Sequence, residues 1–235
     1  GHRIWPRFNF RISTGETSAE AYEWVVQHRT KHTYPMTAVR ILRECGTREG
    51  RCIDIGCGSG LLDIELAKRS NLTIVGLDID PNVKPLFEKH VRDAGFEDRL
   101  SIVIGDAQAM PFADNTADMI VSRGTLTFIP DIGTCLREVR RVLKPTGTAF
   151  LGGRYLFTPQ QYRMSDEKFR KVVAQSGVAD AAVVCTMGQW VRIAGPRATA
   201  PRKQGTGPHM LVGKTVAACG ITTGDLLLVG RSDGR

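Results

Sequence analysis

The chain has no apolar run approaching the roughly 18–20 residues needed to span a bilayer, so no membrane partner is expected. Its first residues, GHRIWPRF, show neither an initiator Met nor the apolar core of a secretory signal. Gly1 and His2 read as an expression remnant, which leaves a removed targeting segment open. Cysteine is sparse: Cys45, Cys52, Cys57, Cys135, Cys185 and Cys219 form no CxxC pair and no cluster with His. That argues against a zinc site and against a disulfide framework, and no metal is expected. Several of these cysteines fall in apolar segments, where a reduced thiol packs as a small hydrophobe, so a cytoplasmic location is expected. Internal repeats and low-complexity tracts are also missing.

What is abundant is positive charge. The 235 residues carry a formal net charge of +8. The excess sits toward the C-terminal side, from Arg137, Arg140, Arg141 and Lys144 to the stretch 192–203. Such a surface favours an anionic substrate or nucleic acid, or it is simply a solvated basic face. Aromatic residues make up only 7 % of the chain and are not interleaved with the basic runs as single-strand binders require. Nucleic acid is therefore not the expected partner.

The middle of the chain alternates strand and helix. RCIDI, NLTIVGLDI, LSIVIGD, DMIVSRG and TAFLGGR read as five strands, and AAVVCTM and QWVRIAG as a hairpin around Gly188. Between them, apolar residues recur at helical spacing, as in Leu61, Leu62, Ile64 and Leu66. Asp80, Asp131 and Ser165 stand where helix caps are expected. This is an α/β pattern: a three-layer sandwich around a mostly parallel sheet. Residues 1–45 read as an N-terminal helical lid, 46–197 as the core, and 198–235 as a Pro/Gly/basic linker with a short β-like extension. That extension docks on the body or serves a homodimer interface.

The stretch IDIGCGSG is a strand-to-helix turn, the place where open α/β sheets bind ligands. A dinucleotide loop would be GxGxxG, but after Gly56 and Gly58 the third position is Leu61, and the extra glycine is Gly60. No GK[ST] follows, so it is not a P-loop either. Asp54, inside an apolar strand, is costly as an ion unless charge or N–H donors satisfy it. Beside a pyrophosphate it would add repulsion; beside an ammonium it is an asset. A nucleoside-like, cationic cofactor without phosphates fits, and S-adenosylmethionine is the common molecule of that description. Asp78, about 20 residues beyond the loop, can take both ribose hydroxyls. Asp106 can accept from an adenine amino group, and Ser122, Arg123 and Gly124 stand near the methionine end.

Together IDIGCGSG, GLDID, GDAQAMPF, ADMIVSRGTLTFIPD and LREVRRVLKPTGTAF make the chain resemble the class I S-adenosylmethionine-dependent methyltransferases from about residue 50 to 195. The resemblance implies a seven-stranded sheet of order 3-2-1-4-5-7-6 with strand 7 antiparallel. It implies that Asp54, Gly56, Cys57, Gly58 and Gly60 cradle the cofactor's amino acid portion. Asp78 and Ile79 would take the ribose, and Gly105, Asp106 and Ala107 the adenine; S-adenosylhomocysteine is the implied product. A general base matters only where the acceptor loses a proton on attack; the candidates are His32 and Tyr155. Arg123, Arg154 and Tyr155 are the candidate substrate contacts. No NPPY-like or DPPY-like segment and no Pro-Cys dipeptide is present, which points to a small-molecule acceptor methylated at N, O, S or C. Methylation of RNA or protein, and a SAM-binding subunit without turnover, remain as alternatives.

Overall fold

The computed structural model describes residues 18–152, 164–184 and 190–198. Before the sheet come α1 (Ser18–Val25), a π turn (Val26–Thr30), a 3-10 turn (Lys31–Thr33) and α2 (Tyr34–Cys45). The alternating core is β1 (Glu49–Ile55), α3 (Leu61–Ala67), β2 (Asn71–Asp78), α4 (Val83–Ala94), β3 (Leu100–Ile104), β4 (Ala117–Ser122), α5 (Ile132–Val142) and β5 (Leu143–Gly152). It closes with α6 (Asp166–Gln175), β6 (Ala181–Val184) and β7 (Trp190–Ala194). The strands form one sheet of order β3-β2-β1-β4-β5-β7-β6. β1 to β5 pair in parallel, and β7 runs antiparallel to both β5 and β6.

Both faces of the sheet are buried, which is why its central strands read as continuous apolar runs. Side chains alternate between the faces: Ile53, Ile55, Val75, Leu77 and Ile120 pack with α5 and α6. Cys52, Ile74, Met119, Val121 and Phe150 pack with α2, α3 and α4. The cysteines expected to be packed thiols are so: Cys45, Cys52, Cys57 and Cys135 are free and buried. Burial pushes the Cys45 and Cys135 thiols up to about 12. The segment ahead of the sheet is fixed by α2, where Arg40 lies over the stacked rings of Phe150 and Trp190.

Two local expectations change. Asp80 does not cap α4; the helix starts at Val83 after Asn82, and Asp80 accepts from the Asn82 backbone N–H at 2.9 Å one turn earlier. Asp131 and Ser165 do cap their helices, through Thr134 and Lys168. The strand after α5 begins at Leu143 itself and runs through Pro145, so the proline marks the change of element without a loop. Among the described residues no helix is long and apolar enough to cross a membrane.

The displaced glycine has a packing reason. Gly60 precedes α3 with φ +79°, and a Cβ there would come within 2.7 Å of the buried Phe87 ring on α4. Gly60→Ala should therefore lower stability by about 1–3 kcal/mol, from the left-handed backbone and the clash together. Urea unfolding of the variant and the parent checks this; an unchanged midpoint would contradict it.

Candidate cofactor site

Two cavities open at the carboxyl ends of the parallel strands. The larger, about 390 Å³, is walled by Ile79, Gly105, Asp106, Ala107, Gln108, Ile129 and Pro130, among others. The smaller, about 80 Å³, lies between α1 and the glycine loop against Ala19, Tyr22, Gly58, Asp80, Val83, Arg123 and Gly124. Gly56, Asp78, Thr125 and Phe128 wall both. The glycine loop is held to β2, since Gly56 N–H donates to the Leu77 carbonyl at 2.7 Å. Gly56 itself has φ +70°, and a Cβ would sit 2.2 Å from the Thr125 hydroxyl.

Asp78 ends β2 and is 6 % exposed. One carboxylate oxygen accepts from Gly58 N–H at 2.9 Å and the other from Asp80 N–H at 3.1 Å. Burial pushes this carboxyl upward, and the two N–H bonds oppose the shift. Asp106 accepts from Gln108 through the backbone N–H (2.8 Å) and the side-chain amide (3.2 Å). Gln108 in turn accepts from Asp131 N–H at 3.0 Å, at the start of α5. The same helix holds the rest of this loop: Glu138 accepts from Met110 N–H at 2.8 Å, and Arg141 donates to the Phe112 carbonyl at 2.8 Å. The cavities thus present carboxylate acceptors and apolar walls, which suits a ligand rich in hydroxyl and amine donors.

Residues 53–151 match the family described as a methyltransferase domain. Over 96 residues the chain is 36 % identical to a sterol 4-C-methyltransferase of Caenorhabditis elegans, covering 41 % of this chain and 28 % of that protein. Over 111 residues it is 35 % identical to the demethylmenaquinone methyltransferase of Bacillus subtilis strain 168, covering 46 % of this chain and 47 % of that one. The match spans less than half the length of these curated relatives. The crystal structure of a candidate S-adenosyl-L-methionine-dependent methyltransferase from Methanococcus maripaludis superposes with a TM-score of 0.68 at 30 % identity. It covers 78 % of this chain and 96 % of its own. The chain belongs to the S-adenosylmethionine-dependent methyltransferases.

The residues present fit the cofactor of this methyltransferase family. The loop is a cradle in which a Cβ at Gly56 has no room, and Asp54 Oδ1 is buried without a partner among the described residues, as a site for positive charge requires. Gly56, Gly58, Asp78, Ile79, Gly105, Asp106, Ala107, Arg123 and Gly124, all expected from the sequence, wall the cavities. Other expected residues stand elsewhere. Asp54 lies 2 % exposed behind the loop, and Gly60 packs under Phe87. Cys57 packs on Gly76, and burial raises its thiol. Ser122 donates to the Ile55 carbonyl at 2.8 Å, so its hydroxyl staples β4 to β1. His32 is exposed and walls neither cavity. Arg154, Tyr155 and the extension beyond residue 198 lie outside the described residues.

Arg123 is neither solvated nor confined to the cofactor side. Its guanidinium lies 3.9 Å from the centre of the Tyr34 ring and donates to the Thr33 hydroxyl, tying the N-terminal helical segment to the end of β4. A second tie runs from α4: His90 Nδ1 meets the Ser59 carbonyl at 3.0 Å and Nε2 meets Glu23 of α1 at 3.2 Å. The two contacts join α4 to the glycine loop and to α1. Sequence reading missed Tyr22, Gln108, Thr125 and Phe128. Gln108, Thr125 and Phe128 stand inside the quoted family stretches, which is the only signal for them.

Asp78→Ala should weaken S-adenosylhomocysteine binding by about 1–3 kcal/mol in calorimetry, since buried hydroxyls would lose their acceptor; unchanged affinity would contradict the placement. His90→Ala should speed amide exchange in residues 18–33 while leaving β1 to β5 protected. Equal exchange in both proteins would show that His90 does not hold the lid.

Proposed function

We propose that this chain transfers the methyl group of S-adenosylmethionine to a small-molecule acceptor. The observation that carries the reading is the row of carboxylates at three neighbouring strand ends, Asp54 on β1, Asp78 on β2 and Asp106 just beyond β3, around the paired cavities. In this reading Gly105, Asp106 and Ala107 take the adenine, Asp78 the ribose hydroxyls, and the Gly56–Gly58 backbone the amino acid end. The bound cofactor supplies a methyl group on a cationic sulfonium.

The chain's own residues then bind, orient and shield. Gln108 holds Asp106 in one rotamer, and Gly58 and Asp80 hold Asp78, so neither carboxylate needs to reorganise. Phe128, Ile129 and Pro130 keep water from the larger cavity. The smaller cavity, capped by α1, is the acceptor side, and alignment at near-attack distance is the main demand on it. Among the polar side chains there, Arg123 can orient an acceptor atom as a donor, and the Tyr22 hydroxyl can orient it or pass on its proton. His32 has no such position. The names of the relatives, a sterol and a demethylmenaquinone methyltransferase, support a small lipophilic acceptor.

Incubation with methyl-labelled S-adenosylmethionine and a panel of lipophilic phenols, quinols, sterols and amines tests this. Label should appear in the small-molecule fraction. Label found only in added RNA or protein would overturn the acceptor class.

A further inference from the structure

Asp63 is fully buried, at 0 % exposure in the first turn of α3, and neither of its oxygens finds a donor among the described residues. Its neighbour is Asp54, whose Oδ1 is likewise buried without a donor among the described residues, and the two carboxyl groups meet side chain to side chain. Two carboxyl groups without another donor hold together only by sharing a proton. The glycine loop leads from this pair to the smaller cavity, for Gly56 and Gly58, two and four residues after Asp54, wall that cavity. Glycine puts no side chain between the acid and a ligand, and in a buried setting charge acts strongly across that distance.

We propose that Asp63 is a positioning residue for the cofactor: when an ammonium binds in the loop, Asp63 takes up the shared proton and donates it back to Asp54, which leaves Asp54 free to ionise beneath the ligand. This rests on the cofactor reading above. The proton balance is simple. A pair holding two protons releases one to solvent when the ammonium binds, and the remaining proton stays on Asp63.

The titratable and charged groups acting on the pair are few. Cys52 comes from β1, Cys57 from the loop, Asp78 from β2 and Arg123 from beyond β4. Cys45 of α2 reaches Cys52, and His90 of α4 reaches the loop at Ser59. Burial and Asp63 push the Asp54 carboxyl well above the usual carboxylate range, while Arg123 opposes this. Burial pushes Asp63 up to about 7, and its bond to Asp54 opposes that rise, so without a ligand the shared proton sits on Asp54. A raised acid stabilises the fold most below the ordinary carboxylate range, near pH 4, and that stability is lost as pH rises through about 7. Ligand affinity should run the other way and strengthen over the same window, as the proton leaves.

The test is calorimetric titration of the full chain with S-adenosylhomocysteine, from pH 5.5 to 8.5, in buffers of different ionisation enthalpy. 5′-Methylthioadenosine, which lacks the ammonium, serves as the control ligand. The wild type should release protons on binding S-adenosylhomocysteine near pH 6, and less near pH 8. Asp63→Asn keeps a donor and should bind with affinity within about threefold, but with the proton release and its pH dependence lost. Asp63→Leu removes the donor and should bind S-adenosylhomocysteine roughly tenfold or more weakly. Neither variant should change binding of methylthioadenosine. The Asn variant, which preserves polarity and size, keeps the test sound should the Leu variant fail to fold. Unchanged proton release in Asp63→Asn, or full affinity in Asp63→Leu, would overturn the role of Asp63 alone. A wild type that binds neither ligand would overturn the cofactor reading with it.

Discussion

Asp78 receives the Gly58 N–H on one oxygen and the Asp80 N–H on the other, and from that position its carboxylate walls both cavities. The bond to Gly58 spans 20 residues of sequence and fixes the glycine loop to the end of β2. Without it the loop would lose its tether on the ligand side, and the two cavities would lose their shared wall. Because backbone donors fix the carboxylate, the site is organised before a ligand arrives. The same restraint is repeated at Asp106, where Gln108 links the acid to the cap of α5. Each acid that faces the cavities is positioned by a neighbour two or more residues away.

The lid follows from the same economy of contacts. Arg123 at the end of β4 stacks on Tyr34, and His90 on α4 bridges Ser59 and Glu23. Two side chains on the core, Arg123 and His90, thus reach the helical segment, one to each side of its π turn. A π turn in a helix often marks a functional position, and here it lies between the two points of attachment. The lid is consequently read as part of the acceptor side rather than as an appendage. The site is thus divided, with the carboxyl pair Asp54 and Asp63 beneath the loop and the Arg123 guanidinium above it.

How far the sequence could be read depends on how local the cause was. Strand ends and the glycine loop are local: IDIGCGSG, GLDID and GDAQAMPF each contain both the strand and its functional turn, so Asp78 and Asp106 were found directly. Gly60 was noticed as misplaced, but its reason, the ring of Phe87, lies 27 residues away on another helix. Ser122 and Cys57 were read as ligand contacts because of where they stand in the turns. The structure spends their side chains on the Ile55 carbonyl and on Gly76. Asp63 escapes notice because in LLDIELAKR it looks, like Glu65, to be on the solvated side of an amphipathic helix. Only tertiary packing turns it inward against Asp54. The seven-strand order came from the family resemblance, since pairing across long crossovers leaves no local mark.

A crystal structure of the full chain with S-adenosylhomocysteine tests this site most directly. It should show adenine between Ala107 and Phe128 with its amino group at Asp106, ribose hydroxyls on Asp78, and the amino acid end along Gly56 and Gly58. A ligand bound elsewhere, or one whose ribose does not touch Asp78, would contradict it.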